Sequence, residues 1–286
     1  MEINRFRIFT KSRSDVITIT PVGDVHLGSN NCDKAYFLDT INEVRITPNN
    51  YWIGMGDLME CIPYTDKRFD PRSIDPDYAV EKDKKGNIKK YLTLDDSTTA
   101  QYLDLKKWLK PIAHKCLGLH TGNHEEKLRL THHRDITRDL CRELKIPYLG
   151  YTAFTKLSCE CRNQKGRVHS NDFSIFSTHG WVYSRTPGAK INRLESLSGY
   201  FVADIYLMAH GHRKLTLSMT QLGLGNKGHE LSLVSFDKVA GMTGSFLKGY
   251  EPTTSSYVER KGFPPVSMGT IKLTIKPDVR QIRISE

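Results

Sequence analysis

The chain has no apolar run long enough to span a bilayer, no CxxC pair, no internal repeat and no low-complexity linker. The first absence excludes a membrane-spanning helix. The second argues against a zinc ribbon or a dithiol redox motif. The last two exclude a solenoid and a string of tethered modules. No secretory apolar segment follows Met1-Glu2-Ile3-Asn4-Arg5. The six scattered cysteines, Cys32, Cys61, Cys116, Cys141, Cys159 and Cys161, therefore read as free thiols of a cytoplasmic protein. Cys159 and Cys161 would share one side of a strand, but a zinc site there lacks its other half.

What is present is a soluble composition with an excess of cations. Over 286 residues, 38% are hydrophobic and 26% charged, with a net charge of +10. That length accommodates one large domain or two small ones. The charge favours anionic partners, nucleic acid among them, and equally suits a nucleotide or a phosphorylated metabolite. It also fits a merely solvated basic surface. The sequence sets no oligomeric state.

The opening reads as strand, loop, helix, strand. Val16–Val22 is apolar, Asp33 is placed to cap a helix carrying Tyr36, Phe37, Thr40, Ile41 and Val44, and a Pro48-Asn49-Asn50 turn precedes Tyr51–Met55. Two such strands are expected to be parallel, joined by a right-handed crossover. Residues 63–96, with Pro63, Pro71, Pro76 and Gly86 among many charges, read as an irregular insertion, either a lid over a site or a plain surface loop. Helical faces follow at Tyr102, Leu105, Leu109 and Ile112, and at Ile136, Leu140 and Leu144. A third helix opens at Thr186-Pro187. From about residue 215 the pattern changes to period two, in Leu215–Leu217, Leu231–Val234, Thr270–Ile275 and Val279–Ile284, which read as antiparallel strands. Two mixed β-sheets packed together with helices outside would hold residues 1–286 as one α/β domain.

Five short apolar runs each lead into polar side chains of metal-binding type. These are Asp24 and His26, then Asp57, then Asn123 and His124, then His179, then His210 and His212. Side chains at strand ends converge when the strands share a sheet. Taken singly, each has an ordinary explanation: Asp57 as a helix cap, Asn123 as a turn former, His179 as a hydrogen-bonded core histidine. Taken together, five coincidences in one order would be required. Carboxylate, amide and imidazole donors without thiolate suit manganese, iron or zinc.

The ordered series Asp24-x-His26, Gly56-Asp57, Gly122-Asn123-His124-Glu125, His179-Gly180 and His210-x-His212 resembles the calcineurin-like metallophosphoesterase superfamily over residues 16–214. The stretch from His179-Gly180-Trp181 through Arg185-Thr186-Pro187-Gly188 to His212 is also similar to phage and bacterial members. The resemblance implies a four-layer αββα sandwich and two divalent metal ions. Manganese is favoured, with iron, zinc, nickel or cobalt also suited. Matched by position, Asp24, His26 and His212 would serve one ion and Asn123, His179 and His210 the other, with Asp57 bridging both through its two oxygens. His124 would be a catalytic general acid and not a ligand. Two departures stand out. Glu60 occupies a position usually held by Asp, where the carboxylate usually orients a ligand, and Gly211 lies between the two histidines rather than before them. The chain also lacks the Arg-Gly that follows the bridging Asp in protein phosphatases, and keeps the second histidine that they lose.

The resemblance implies hydrolysis of a phosphoester by a metal-bridging hydroxide, with a nucleotide or nucleic-acid phosphodiester as the expected substrate. The alternative is a phosphomonoesterase acting on a small phosphorylated metabolite. An inert scaffold on the same fold is disfavoured, because no ligand position is missing. Arg185 and Lys190, at the opening of the helix after His179, are candidate substrate-phosphate contacts or, equally, surface charges. His132 and His133 are expected to face solvent.

Overall fold

The computed structural model describes all residues except 63–65, 67–68, 163–165, 182–183, 228–229 and 252–255. In chain order its elements are β1 (Glu2–Thr10), β2 (Ile17–Val22), α1 (Lys34–Ile46), β3 (Asn50–Gly54), β4 (Val80–Lys82), β5 (Ile88–Tyr91), α2 (Leu94–Leu109), β6 (Cys116–His120), α3 (Asn123–His132), α4 (Ile136–Leu144) and β7 (Tyr148–Gly150). There follow β8 (Thr152–Arg162), β9 (Val168–Thr178), α5 (Pro187–Tyr200), β10 (Ile205–Met208), β11 (Leu215–Lys227), β12 (Glu230–Met242), α6 (Tyr257–Arg260), β13 (Lys272–Lys276) and β14 (Gln281–Ser285).

Two six-stranded mixed sheets organise these elements, in the orders β1-β8-β9-β10-β12-β11 and β14-β13-β2-β3-β6-β7. Three apolar clusters show how they stack. Ile19, Ile53 and Leu117 of the second sheet meet Leu157, Ile175 and Leu207 of the first, forming the core between the sheets. Phe37 and Ile41 of α1, Leu105 and Leu109 of α2 and Leu140 of α4 pack on the outer face of the second sheet around Trp52. Leu194 and Leu197 of α5 cover Phe176, Tyr206, Met208 and Ala240 on the outer face of the first. The result is the expected α/β sandwich, helix on sheet on sheet on helix. Strands buried on both faces explain why their sequences are short unbroken apolar runs.

The opening strands pair as expected, β2 parallel with β3, and the Asp33 side chain accepts from the Tyr36 amide to start α1. The insertion is more regular than its composition suggests. Its described part holds two 3₁₀ turns, each opened by an Asp-Pro pair, and the β4–β5 ribbon. It docks beside the first ligand loop, where the Asp75 amide donates to the Gly28 carbonyl at 2.8 Å. Residues 63–65 and 67–68 of the expected insertion lie outside the described residues. Its far end overlaps α2, which begins at Leu94 behind a Thr93 capping box rather than at Thr98.

The C-terminal half departs further from expectation. Leu215–Leu217 and Leu231–Val234 belong to one long hairpin of 13 residues on each side. β12 pairs antiparallel with β11 but parallel with β10. The strands β1 and β8, parallel to each other along nine residue pairs, carry no counterpart in the sequence reading. Cys159 and Cys161 on β8 are buried with the other four cysteines as free thiols. Among the described residues no helix is long and apolar enough to cross a membrane.

Candidate metal centre

All five ligand-bearing loops leave the C-terminal ends of strands, but not of one sheet. β2, β3 and β6 of the second sheet deliver Asp24, His26, Asp57, Asn123 and His124, whereas β9 and β10 of the first deliver His179, His210 and His212. The expectation of a shared sheet is thus corrected: the site closes over the core where both sheets end. The loops continue the strand pairing for one more step, since the Asp24 amide donates to Gly56 O at 3.0 Å and the Val25 and His26 amides donate to Asp57 O at 2.9 and 3.0 Å.

Turning each side chain inward from a strand end needs unusual backbone. Asp24, His26, Asp57, His210 and His212 all have φ between 50° and 64°, in the left-handed region that non-glycine residues seldom occupy and that Asp and His enter more readily than most. Five of the seven expected ligands are therefore held in strained conformations, a concentration typical of functional sites. Two glycines let the loops interlock. A Cβ on Gly122 would lie 2.1 Å from both the amide nitrogen and Oδ1 of Asp57. A Cβ on Gly56 would lie 2.7 Å from the Gly122 amide and from His179 Nδ1.

The side chains gather in two groups. In the first, His212 Nε2 lies 3.3 Å from Asp24 Oδ1 and 3.4 Å from His26 Nε2. In the second, His179 Nε2 lies 3.1 Å from Asn123 Oδ1 and 3.4 Å from Asp57 Oδ2, with His210 completing the group. Asp57 joins them, because its Oδ2 is also 3.8 Å from His26 Nε2. The other carboxylate oxygen, Oδ1, accepts the His124 amide at 2.9 Å. Oδ2 thus lies within 3.8 Å of ring nitrogens in both groups. Asp24, His26, Asp57 and His179 are almost wholly buried, while Asn123, His210 and His212 are partly accessible and mark the mouth.

The donor chemistry fits a cation. Carbonyl and carboxylate oxygens fix where the ring protons sit. His179 Nδ1 donates to Met55 O at 2.7 Å, and His26 Nδ1 donates to Glu60 Oε2 at 2.9 Å. Each ring then turns Nε2 toward other acceptors, an arrangement that needs positive charge between them. Asp24 Oδ1, buried within the first group, makes no well-formed hydrogen bond. These His and Asp groups could hold a metal ion. Glu60 takes the ligand-orienting place expected of it despite replacing Asp.

Without such an ion, protons balance the carboxylates. Burial pulls the His26 imidazolium down, but the Glu60 hydrogen bond and the charges of Glu60, Asp57 and Asp24 push it up to about 9. His179 is likewise opposed by burial yet pushed up to about 10 by Asp57 and Asp24. Asp57 is buried too, but the imidazoles of His179, His124 and His26 hold its carboxyl well below the usual range. His210 goes the other way, to about 4, through burial and the neighbouring His179.

His124 stands at the edge of both roles. Its Nδ1 donates to Glu60 O at 2.8 Å, and its ring meets that of His26 edge to face at 4.5 Å. It also lies close enough to His26 and Asp57 to form a third potential ligand group. Lys190 reaches the site: its ammonium donates to Gly211 O, between His210 and His212, at 2.7 Å. Arg185 turns to the C-terminal segment, its guanidinium 5.2 Å over the Phe263 ring. His132 and His133 are exposed, as expected.

Three contributors were not singled out from sequence. Glu125 is buried and accepts from the amides of Asp57, Leu58, Met59 and Gly122 at 2.7–3.1 Å. His120 bridges the sheets beneath the site, with Nε2 2.8 Å from Ser177 Oγ and Nδ1 2.9 Å from Gly150 O. The segment after β12 seals the first ligand loop, the Phe246 amide donating to Asp24 O at 3.0 Å. Only Glu125 carried a signal, as the third residue of a helix opened by Gly122, where a carboxylate caps free amides. No protein-family model matches the chain, and no curated protein matches it.

Two outcomes follow from this geometry. Divalent-cation binding should release protons and tighten as pH rises from 6 toward 9, because the raised His26 and His179 hold protons that the cation must displace. Calorimetry in buffers of different ionisation enthalpy measures this, and binding without proton release contradicts it. Gly122→Ala should weaken cation binding by about tenfold or more, since its methyl must displace Asp57. Gly188→Ala, with open space around it, should bind as the parent does. Equal affinity in both variants contradicts the role given to Gly122.

Proposed function

We propose that the chain is a dinuclear metal-dependent phosphoesterase of the calcineurin-like type, acting as a phosphodiesterase on nucleotides or nucleic acid. The observation that carries this reading is the pair of adjacent ligand groups, Asp24–His26–His212 and Asp57–His179–His210, with Asp57 Oδ2 within 3.8 Å of His26 and 3.4 Å of His179. Asp24, His26 and His212 would hold one divalent ion and Asn123, His179 and His210 the other, with Asp57 shared. Oxygen and imidazole donors suit manganese, iron or zinc, and the six buried cysteines are not among the ligand groups. When bound, two such ions supply the Lewis acidity that activates water and polarises a phosphoryl oxygen.

The chain's own groups supply the rest. His124, its Nδ1 proton committed to the Glu60 carbonyl, presents Nε2 as the proton donor to the departing oxygen. Lys190, held by Gly211 O beside the mouth, brings a positive charge toward substrate phosphate. Trp181, two residues beyond His179, is 40% exposed, with the Arg193 guanidinium 5.0 Å over its ring. An exposed indole backed by a cation suits a nucleobase better than a small phosphorylated metabolite. The net charge of +10 adds attraction for polyanions.

With manganese supplied, kcat/KM for bis-p-nitrophenyl phosphate should exceed that for p-nitrophenyl phosphate. A monoester preference of about tenfold or more, about 1.4 kcal/mol in the transition state, would replace this reading with the phosphomonoesterase. His124→Ala should keep its metal content and lose about 10²–10⁴-fold in turnover, with a smaller loss for good leaving groups. Loss of metal in that variant would make His124 a ligand, as its closeness to His26 and Asp57 also permits.

A further inference from the structure

The hairpin of β11 and β12 has two unlike halves. At its base, Val239 belongs to the core between the sheets, and Gly241 on the same face lies against Ile284 of the second sheet and Ile271 just before β13. Alternation puts Leu231 and Leu233 on that face, and the register places Leu222 and Leu224 there opposite Ser235 and Leu233. Toward the tip the second sheet no longer covers them. Leu222 is 66% exposed, Leu224 79%, Leu231 78% and Leu233 69%. On the opposite face the side chains lean over glycines: Val234 lies across Gly225, where a Cβ would come within 2.3 Å of it, and Phe236, 51% exposed, lies against Gly223.

These four leucines form a patterned surface. An antiparallel ribbon has a local two-fold axis normal to its plane, here through the Leu224–Leu233 pair. That axis exchanges Leu224 with Leu233, Leu222 with Leu231, and Asn226 with Ser235. The patch thus carries an apolar diagonal flanked by small polar corners, and none of its six residues is charged. In a chain of net charge +10, an uncharged apolar face avoids the like-charge repulsion that would oppose self-association. The nearest charge on that face is the Asp237 carboxylate, tied to Thr220 Oγ1 at 2.8 Å, which is the wrong sign for an anionic membrane.

We propose that this ribbon face is a homodimer interface, packed against the same face of a second copy about a two-fold axis. The area agrees. Leucines this exposed present on the order of 500 Å² per copy, at the upper end of the largest apolar patches that monomers carry, which are often functional. Two copies then bury on the order of 1,000 Å² from the leucines alone, the area a biological interface should clear, and the flanking polar residues add to it. A two-fold interface uses one surface twice, which an apolar patch with its own two-fold pattern can satisfy. The inference does not depend on the reaction proposed above.

Sedimentation equilibrium of the full chain tests it. The parent should run at twice the chain mass. The double variant Leu224→Asp, Leu233→Asp should raise the dimer dissociation constant by at least about tenfold with its circular dichroism unchanged. Hydrogen exchange of the unaltered protein provides a check free of substitutions, because β11 and β12 outside the core should become more protected as concentration rises. A parent that stays monomeric at all concentrations overturns the proposal. So does a variant that dimerises like the parent. Binding of the monomeric parent to phosphatidylglycerol vesicles, lost in the variant, would assign the face to a membrane instead.

Discussion

One buried carboxylate fastens the turn on which both ligand groups depend. Glu125 Oε1 accepts from Leu58 and Met59, and Oε2 from Asp57 and Gly122. Those amides belong to two different loops, one after β3 and one before α3. The Asp57 carboxylate can face both ligand groups only while its own backbone turn stays closed, and Glu125 closes it. Burial and the Asp57 charge push the Glu125 carboxyl up, while the amide bonds favour its ionised form. Metal charge next to Asp57 would offset that repulsion, so cation binding and the order of this turn are expected to support each other.

The left-handed residues show what that order opposes. Asp24, His26, Asp57, His210 and His212 each sit where a side chain costs roughly 1–2 kcal/mol relative to ordinary backbone. Such a set persists only where the surroundings over-determine it. Parallel pairing carried past β2 and β3 fixes the first two loops. His179 ties the first sheet to the second through Met55 O, and His120 does so beneath it through Ser177. Apolar layers above and below both sheets hold the strand ends that these loops extend. The site is thus a local concentration of strain, supported by an unstrained sandwich.

Much of this was legible in the chain. β2, β3, β6 and β10 are short apolar runs ended by Gly, Asp or His, and both the runs and their punctuation survive in the structure. The grouping of Asp24, His26 and His212, and of Asn123, His179 and His210, was implied by the family resemblance and is set by no spacing along the chain. Pairing partners were less legible. β1 and β8 lie side by side with some 150 residues between them, and no local pattern encodes such a pairing. β12 runs parallel to β10, whereas its alternation suits either direction. The leucines of β11 and β12 read as ordinary half-buried strand residues, since alternation does not say whether the inner face has a neighbour. The hydrogen bond from the His124 amide to Asp57 Oδ1 was not legible either, being set by the start of α3.

The central claim is that two cation positions share Asp57. Anomalous diffraction from crystals loaded with manganese tests it most directly, because the ions are located without reference to activity. The account predicts two anomalous peaks, one among Asp24, His26 and His212 and the other among Asn123, His179 and His210, with Asp57 in contact with both. A single peak at saturating manganese, or an ion held by His124 with His212 or His210 turned away, would contradict it.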